Sequence, residues 1–85
     1  MHFRILLFGP QSVIVGSDSV DVVLPDPTGG PPTPAVLREV LAESHPGLAA
    51  SLPASRFAVN HRFAADDESL DADDEIALIG MISGG

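Results

Sequence analysis

Apolar residues fall into short runs along the chain, each closed by glycine, proline or charged residues. The first, Phe3 to Phe8, is hydrophobic apart from Arg4 and stops at Gly9-Pro10, which predicts a central strand. Gln11 to Gly16 reads two ways. Val13-Ile14-Val15 favours a strand, while the bracketing Gly-Pro and Gly favour a short connecting turn. Ser19 to Leu24 alternates before becoming continuously apolar, giving a second strand that would form a hairpin with the first across a long connection. Pro25 to Pro32 (Pro-Asp-Pro-Thr-Gly-Gly-Pro-Pro) is a loop by its turn residues. An isolated hairpin is at best marginally stable, so this stretch is read as an enlarged surface loop and not as a domain linker.

Thr33-Pro34 opens the clearest helix. Thr33 can cap free amides, and Pro34 suits the first helical position, where its missing N–H costs nothing. Val36, Leu37, Val40 and Leu41 share one face, and His45-Pro46-Gly47 ends the helix. Leu48 to Leu52 allows one further helical turn before Pro53. Arg56 to Asn60 is a third strand, Arg62 to Ala64 a candidate short one, and Asp71 to Asp74 a turn. Ile76 to Ile79 is a continuously apolar final strand, which suits a central position covered on both sides. One helix across one face of a small mixed sheet is the economical packing, an α+β class. The β-domain then spans residues 1–80, leaving residues 81–85 as an extended C-terminal arm.

That arm carries the most unusual chemistry. Met81, Ile82 and Ser83 lead to Gly84-Gly85, whose lack of Cβ atoms would let a terminal carboxylate enter a narrow slot. A frayed end is the plain alternative, since glycine is common at disordered termini. Free, the arm is expected to be extended and poorly ordered.

Composition narrows the options. Twelve acidic residues face four arginines and no lysine, for a net charge of −8. The chain therefore lacks the cationic footprint of a nucleic-acid binder, and an anionic membrane surface is disfavoured too. Seven of the twelve carboxylates lie between Asp66 and Glu75. They would either steer a basic partner or simply solvate a loop. Absence of cysteine excludes disulfides and a thiol nucleophile in this chain, and is compatible with a cytoplasmic location. The N-terminal apolar run is too short for a signal peptide, and no run approaches a membrane span. His2, His45 and His61 lack metal-ligand spacing. Asp71-x-Asp73-x-Glu75 has Ile76 where a calcium loop needs its glycine, so no metal site is expected.

Taken together, these features resemble the sulfur-carrier small subunits of molybdopterin synthase, the MoaD-like branch of the ubiquitin-like β-grasp proteins. The residues carrying the resemblance are Leu7-Phe8-Gly9, Thr33 with Leu37-Arg38, and Ala58-Val59-Asn60. Leu70-Asp71-Ala72-Asp73-Asp74-Glu75-Ile76-Ala77 and terminal Ser83-Gly84-Gly85 complete it. Many members carry paired prolines where this chain has Gly80-Met81.

The resemblance implies a β-grasp fold and a reacting Gly85. An E1-like adenylating enzyme would activate Gly85 with ATP, and a sulfur donor enzyme would convert it to a thiocarboxylate. The large synthase subunit would admit Met81, Ile82, Ser83 and Gly84 into its channel and direct the sulfur to a pterin precursor. The small subunit would supply the reacting atom without being an enzyme alone, and would bind no cofactor itself. A ThiS-like carrier for another pathway, such as thiamin thiazole synthesis, and a ubiquitin-like protein modifier remain alternatives.

Overall fold

The computed structural model describes residues 1–24 and 30–80. Expectations about the arm at 81–85, and about the first part of the proline-rich loop, lie outside the described residues. The elements are β1 (His2–Leu7), α1 (Pro10–Val15), β2 (Ser19–Val23), α2 (Pro34–Ser44), β3 (Ser55–Val59), β4 (Arg62–Phe63) and β5 (Ile76–Gly80). Two 3-10 turns, Pro46–Leu48 and Leu52–Ala54, join α2 to β3.

The strands form one mixed sheet in the order β2-β1-β5-β3-β4. β5 lies parallel to β1, with Ile5 opposite Ile76 and Leu7 opposite Leu78. On its other side β5 runs antiparallel to β3, from Val59 opposite Ile76 to Ser55 opposite Gly80. The expected adjacency of the first and last strands is therefore observed. Period-2 alternation sends Phe3, Ile5, Leu7, Phe57, Val59, Ile76 and Leu78 to one face, where all are buried. α2 closes that face with Leu37 and Leu41, both fully buried.

Thr33 caps α2 as expected, its hydroxyl oxygen accepting from the Val36 amide at 3.5 Å, with Pro34 in the first turn. Arg38, beside Leu37, ties the helix to β3 and to the turn before it. Its guanidinium donates to the Leu52 carbonyl, to the Ser55 carbonyl at 3.0 Å and to Asp66 at 3.3 Å. It also lies 5.5 Å from the Phe57 ring centroid.

Several expectations need correcting. Gln11 to Gly16 is neither strand nor plain turn, because Pro10–Val15 is a short helix. It ends at Gly16, in the left-handed conformation at φ 79°, whose amide donates to the Ser12 carbonyl. Val36 is 39% exposed and not part of the core face; Val40 packs against the core from its margin. The buried stripe is centred on Leu37 and Leu41, and Val36 falls beyond its edge. Phe8 lies past the end of β1 and is exposed. The single turn expected over Leu48 to Leu52 is replaced by the two 3-10 turns, the second of which contains Pro53. β5 is central but buried on one face only, since Ala77 and Ile79 are half-buried.

Removing Leu37 leaves a cavity between α2 and the sheet. Leu37→Ala should cost about 2–5 kcal/mol, whereas Val36→Ala should cost well under half as much. Urea titration of the two variants checks the difference.

Candidate functional site

The face of the sheet away from α2 is built from the outward positions of the same strands. Register places Leu6 opposite Ala77, Ala77 opposite Ala58, and Ala58 opposite Phe63. One transverse row thus crosses β1, β5, β3 and β4 with two alanines in the middle. Small centre and large flanks make a dish of about 430 Å³, walled by Leu6, Phe8, Phe63 and Ile79. Phe8 and Phe63 are about half exposed, at 53% and 47%. Two half-exposed aromatic rings flanking an alanine floor are unusual for a surface that only meets water.

A polar rim borders the dish. Arg56 sits over the Phe63 ring at 4.5 Å from its centroid. Arg62 holds both Glu68 carboxylate oxygens, at 2.9 and 2.6 Å. That hydrogen-bonded contact, more than charge alone, keeps the Glu68 carboxyl below its ordinary range and raises the Arg62 guanidinium above its own. His61 pairs with Glu75 at 2.8 Å. An apolar floor with a polar, charged rim is the general anatomy of a protein-docking surface.

The start of β5 is fixed by a clasp between two of the segments singled out in the sequence. Asn60 and His61 both have positive φ, 52° and 70°, and form the two-residue turn joining β3 to β4. Asn60 donates from Nδ2 to Asp74 at 2.9 Å and accepts at Oδ1 from the Glu75 amide, also at 2.9 Å. The second Asp74 oxygen accepts from the Asp71 amide at 2.8 Å. Asp74 therefore closes a turn, and at this position the acidic stretch does structural work beyond solvation or steering.

The end of β5 is bounded differently. Gln11 and Ser55 are the two buried polar side chains among the described residues. The Gln11 carboxamide donates to the Ser55 hydroxyl at 2.8 Å and to the Ser51 hydroxyl at 3.3 Å. Its Oε1 has no hydrogen-bond partner among the described residues. A Cβ placed on Gly80 would stand 3.6 Å from that oxygen, in ordinary contact. Sequence reading singled out no role for Gln11, because its partners lie 40 and 44 residues away. Its only local signal was a polar residue after Gly-Pro and ahead of a β-branched run.

Gly85, expected to react, and Met81, Ile82, Ser83 and Gly84, expected to enter a partner channel, lie outside the described residues. What the structure brings together is their point of departure: Gly80 at the end of the central strand, with the apolar dish on one side and Gln11 on the other. No group of acidic or histidine side chains suited to a metal occurs among the described residues. No helix among them is long and apolar enough to cross a membrane.

Sheet order and crossover helix are those of a ubiquitin-like β-grasp domain. The chain belongs to the ThiS family, which it matches over residues 5–85. It is 33% identical over 86 residues to the molybdopterin synthase sulfur carrier subunit of Dictyostelium discoideum, covering 99% of this chain and 96% of that protein. Among solved structures it resembles SAMP1 of Haloferax volcanii, at 26% identity and a TM-score of 0.80, with both chains fully covered. It also shares its fold with a chain in the complex of subunits 1 and 2 of the molybdopterin-converting factor from Helicobacter pylori. That match has 21% identity and a TM-score of 0.66, again with full coverage of both.

Removing the Asp74 carboxylate frees the Asp71 amide and the Asn60 carboxamide together. Asp74→Ala should therefore cost about 1–2 kcal/mol, while Asp73→Ala should be near neutral. Thermal melts of both variants test whether the clasp, rather than total acidity, matters here.

Proposed function

We propose that this chain is the sulfur-carrying small subunit of molybdopterin synthase, with Gly85 as its reacting residue. The observation that carries the reading is the end-to-end similarity to the Dictyostelium sulfur carrier subunit. The terminal Ser83-Gly84-Gly85 and the apolar dish beside β5 support it.

A carboxylate is a poor electrophile, so the reaction begins with activation. An E1-like adenylating enzyme joins the Gly85 carboxylate to AMP from ATP and releases pyrophosphate. A persulfide on the sulfur donor enzyme displaces AMP, giving an acyl disulfide, and a thiol cleaves this to the Gly85 thiocarboxylate and a disulfide. The arm then enters the large synthase subunit, where the thiocarboxylate sulfur bonds to a carbon of the pterin precursor as an oxygen substituent leaves that carbon. Hydrolysis of the resulting thioester returns the carboxylate. A dithiolene needs two sulfurs, hence two carrier visits or two bound carriers.

The chain's own contribution is binding and presentation. Holding the five residues 81–85 in a channel costs roughly 5–10 kcal/mol of backbone entropy. Burying the dish formed by Leu6, Ala77, Ala58 and Phe63 against the large subunit offsets that cost. Met81, Ile82, Ser83 and Gly84 thread the channel, and Gly84 tolerates walls that a side chain would strike. ATP is consumed on the activating enzyme, and the carrier itself holds no cofactor.

A second reading draws on the likeness to SAMP1, also described as a small archaeal modifier protein. In it, the activated Gly85 would acylate an amine of another protein. Reconstitution with activating enzyme, ATP, sulfur donor, large subunit and precursor separates the possibilities. Intact mass should rise by about 16 Da as sulfur replaces oxygen, and the dithiolene should form. Deleting Gly85 should abolish both with no change in melting temperature; dithiolene formation by that variant would refute the carrier reading. Thiocarboxylation without transfer to the pterin would instead favour a ThiS-like carrier for another pathway. Ala77→Asp places a charge on the floor of the dish. It should leave the fold intact and weaken association with the large subunit by at least tenfold, as read by calorimetry.

A further inference from the structure

Three of the four arginines are matched with a carboxylate. Arg4 faces Asp21 at 3.6 Å, Arg38 faces Asp66 at 3.3 Å, and Arg62 holds Glu68 at 2.6 Å. Arg56 has no such partner among the described residues, and its guanidinium lies instead over the Phe63 ring. Carboxylates outnumber arginines three to one in this chain, so scarcity does not explain the vacancy.

Its position gives the unmatched charge a meaning. Arg56 is exposed on β3, opposite Ile79 in register and against Phe63, two walls of the apolar dish. It also lines a polar pocket of about 400 Å³ with Arg38, Ser55 and Asp66. There two guanidinium groups meet one carboxylate. Arg38 is already committed to that carboxylate and to the Leu52 and Ser55 carbonyls. One positive charge is therefore left over at this edge of the dish, in a molecule whose net charge is −8.

A partner that covers the dish covers Phe63, and Arg56 with it. Taking a guanidinium out of water without a counter-charge is costly. A backbone carbonyl would satisfy its N–H groups but not its charge. A carboxylate does both, and its two oxygens match the guanidinium fork. Contact with a ring face leaves the in-plane donors available while restricting the side chain, so less freedom is lost on docking.

We propose that Arg56 binds an aspartate or glutamate side chain of the large synthase subunit when the dish is docked. The inference rests on the sulfur-carrier reading and adds a specificity-determining residue to it. An acidic chain is drawn to a basic surface in many orientations. A carboxylate within that surface admits only the orientation that places Arg56 upon it. The dish supplies affinity with little directionality; the ion pair supplies register.

The test uses the full chain and the large subunit, with affinity read by calorimetry. Arg56→Gln should keep its melting temperature within about 5 °C of wild type and bind roughly tenfold more weakly. Arg56→Glu should bind more weakly still, because two carboxylates would then face each other. Arg56→Lys should recover part of the loss, keeping the charge without the fork. In isotope-labelled wild-type carrier, the Arg56 Nε–H resonance should shift on complex formation. Unchanged affinity in Arg56→Gln would overturn the proposal. Tighter binding would overturn it too, because the cation would then face a basic surface or hold the chain's own Gly85 carboxylate. Equal affinities of the Gln and Glu variants, or a silent Nε–H resonance, would also overturn it. If wild type does not bind the large subunit, the synthase reading falls and takes this inference with it. If wild type binds and Arg56→Gln binds equally well, this inference falls alone.

Discussion

The parallel pairing of β1 with β5 is the constraint on which the other contacts depend. Two strands from opposite ends of the chain can lie side by side in the same direction only if the intervening chain crosses over the sheet. α2 makes that crossing, and its burial of Leu37 and Leu41 is what holds the crossover against the sheet. Once β5 sits between β1 and β3, its outward residues meet Leu6 on one side and Ala58 on the other. The floor of the dish is a product of the register, and Phe8, just past β1, adds one wall.

Both ends of β5 are then secured by polar contacts of different kinds. At the start, Asn60, Asp74 and the Glu75 amide form a closed set of hydrogen bonds. At the finish, Gln11 and Ser55 form a set with one acceptor left open among the described residues. Arg38 joins α2 to the segment leading into β3, so the helix and that strand are tied through one guanidinium.

How much could be read from the sequence tracked how local the information was. The first and last strands, the Thr33 cap and the Leu37–Leu41 stripe rest on patterns a few residues long, and each stands where the pattern put it. The family resemblance was equally legible, because its motifs sit at turns and caps with fixed chemistry. α1 was misread because Val13-Ile14-Val15 is β-branched. Pro10 at the first helical position and Gly16 at the end were helix signals, but six residues give too little periodicity to outweigh propensity. Val13 and Ile14 are largely exposed, so no core preference corrected the reading. The one-sided burial of β5 was also illegible, since small Ala77 looks the same whether covered by protein or left as the floor of a docking surface. Gln11 depends on contacts across forty residues, beyond the reach of any local pattern.

The central place of β5 also has a mechanical meaning. On the function proposed above, the arm is drawn into a channel and later withdrawn, and both loads reach the fold through Gly80. An edge strand loaded that way could peel off one hydrogen bond at a time. β5 instead has a parallel neighbour on one side and an antiparallel neighbour on the other. A pull along its axis therefore strains both ladders in shear and shares the force among many bonds at once. On that proposal the fold is an anchor as well as a handle, strongest in the direction in which the arm would be drawn.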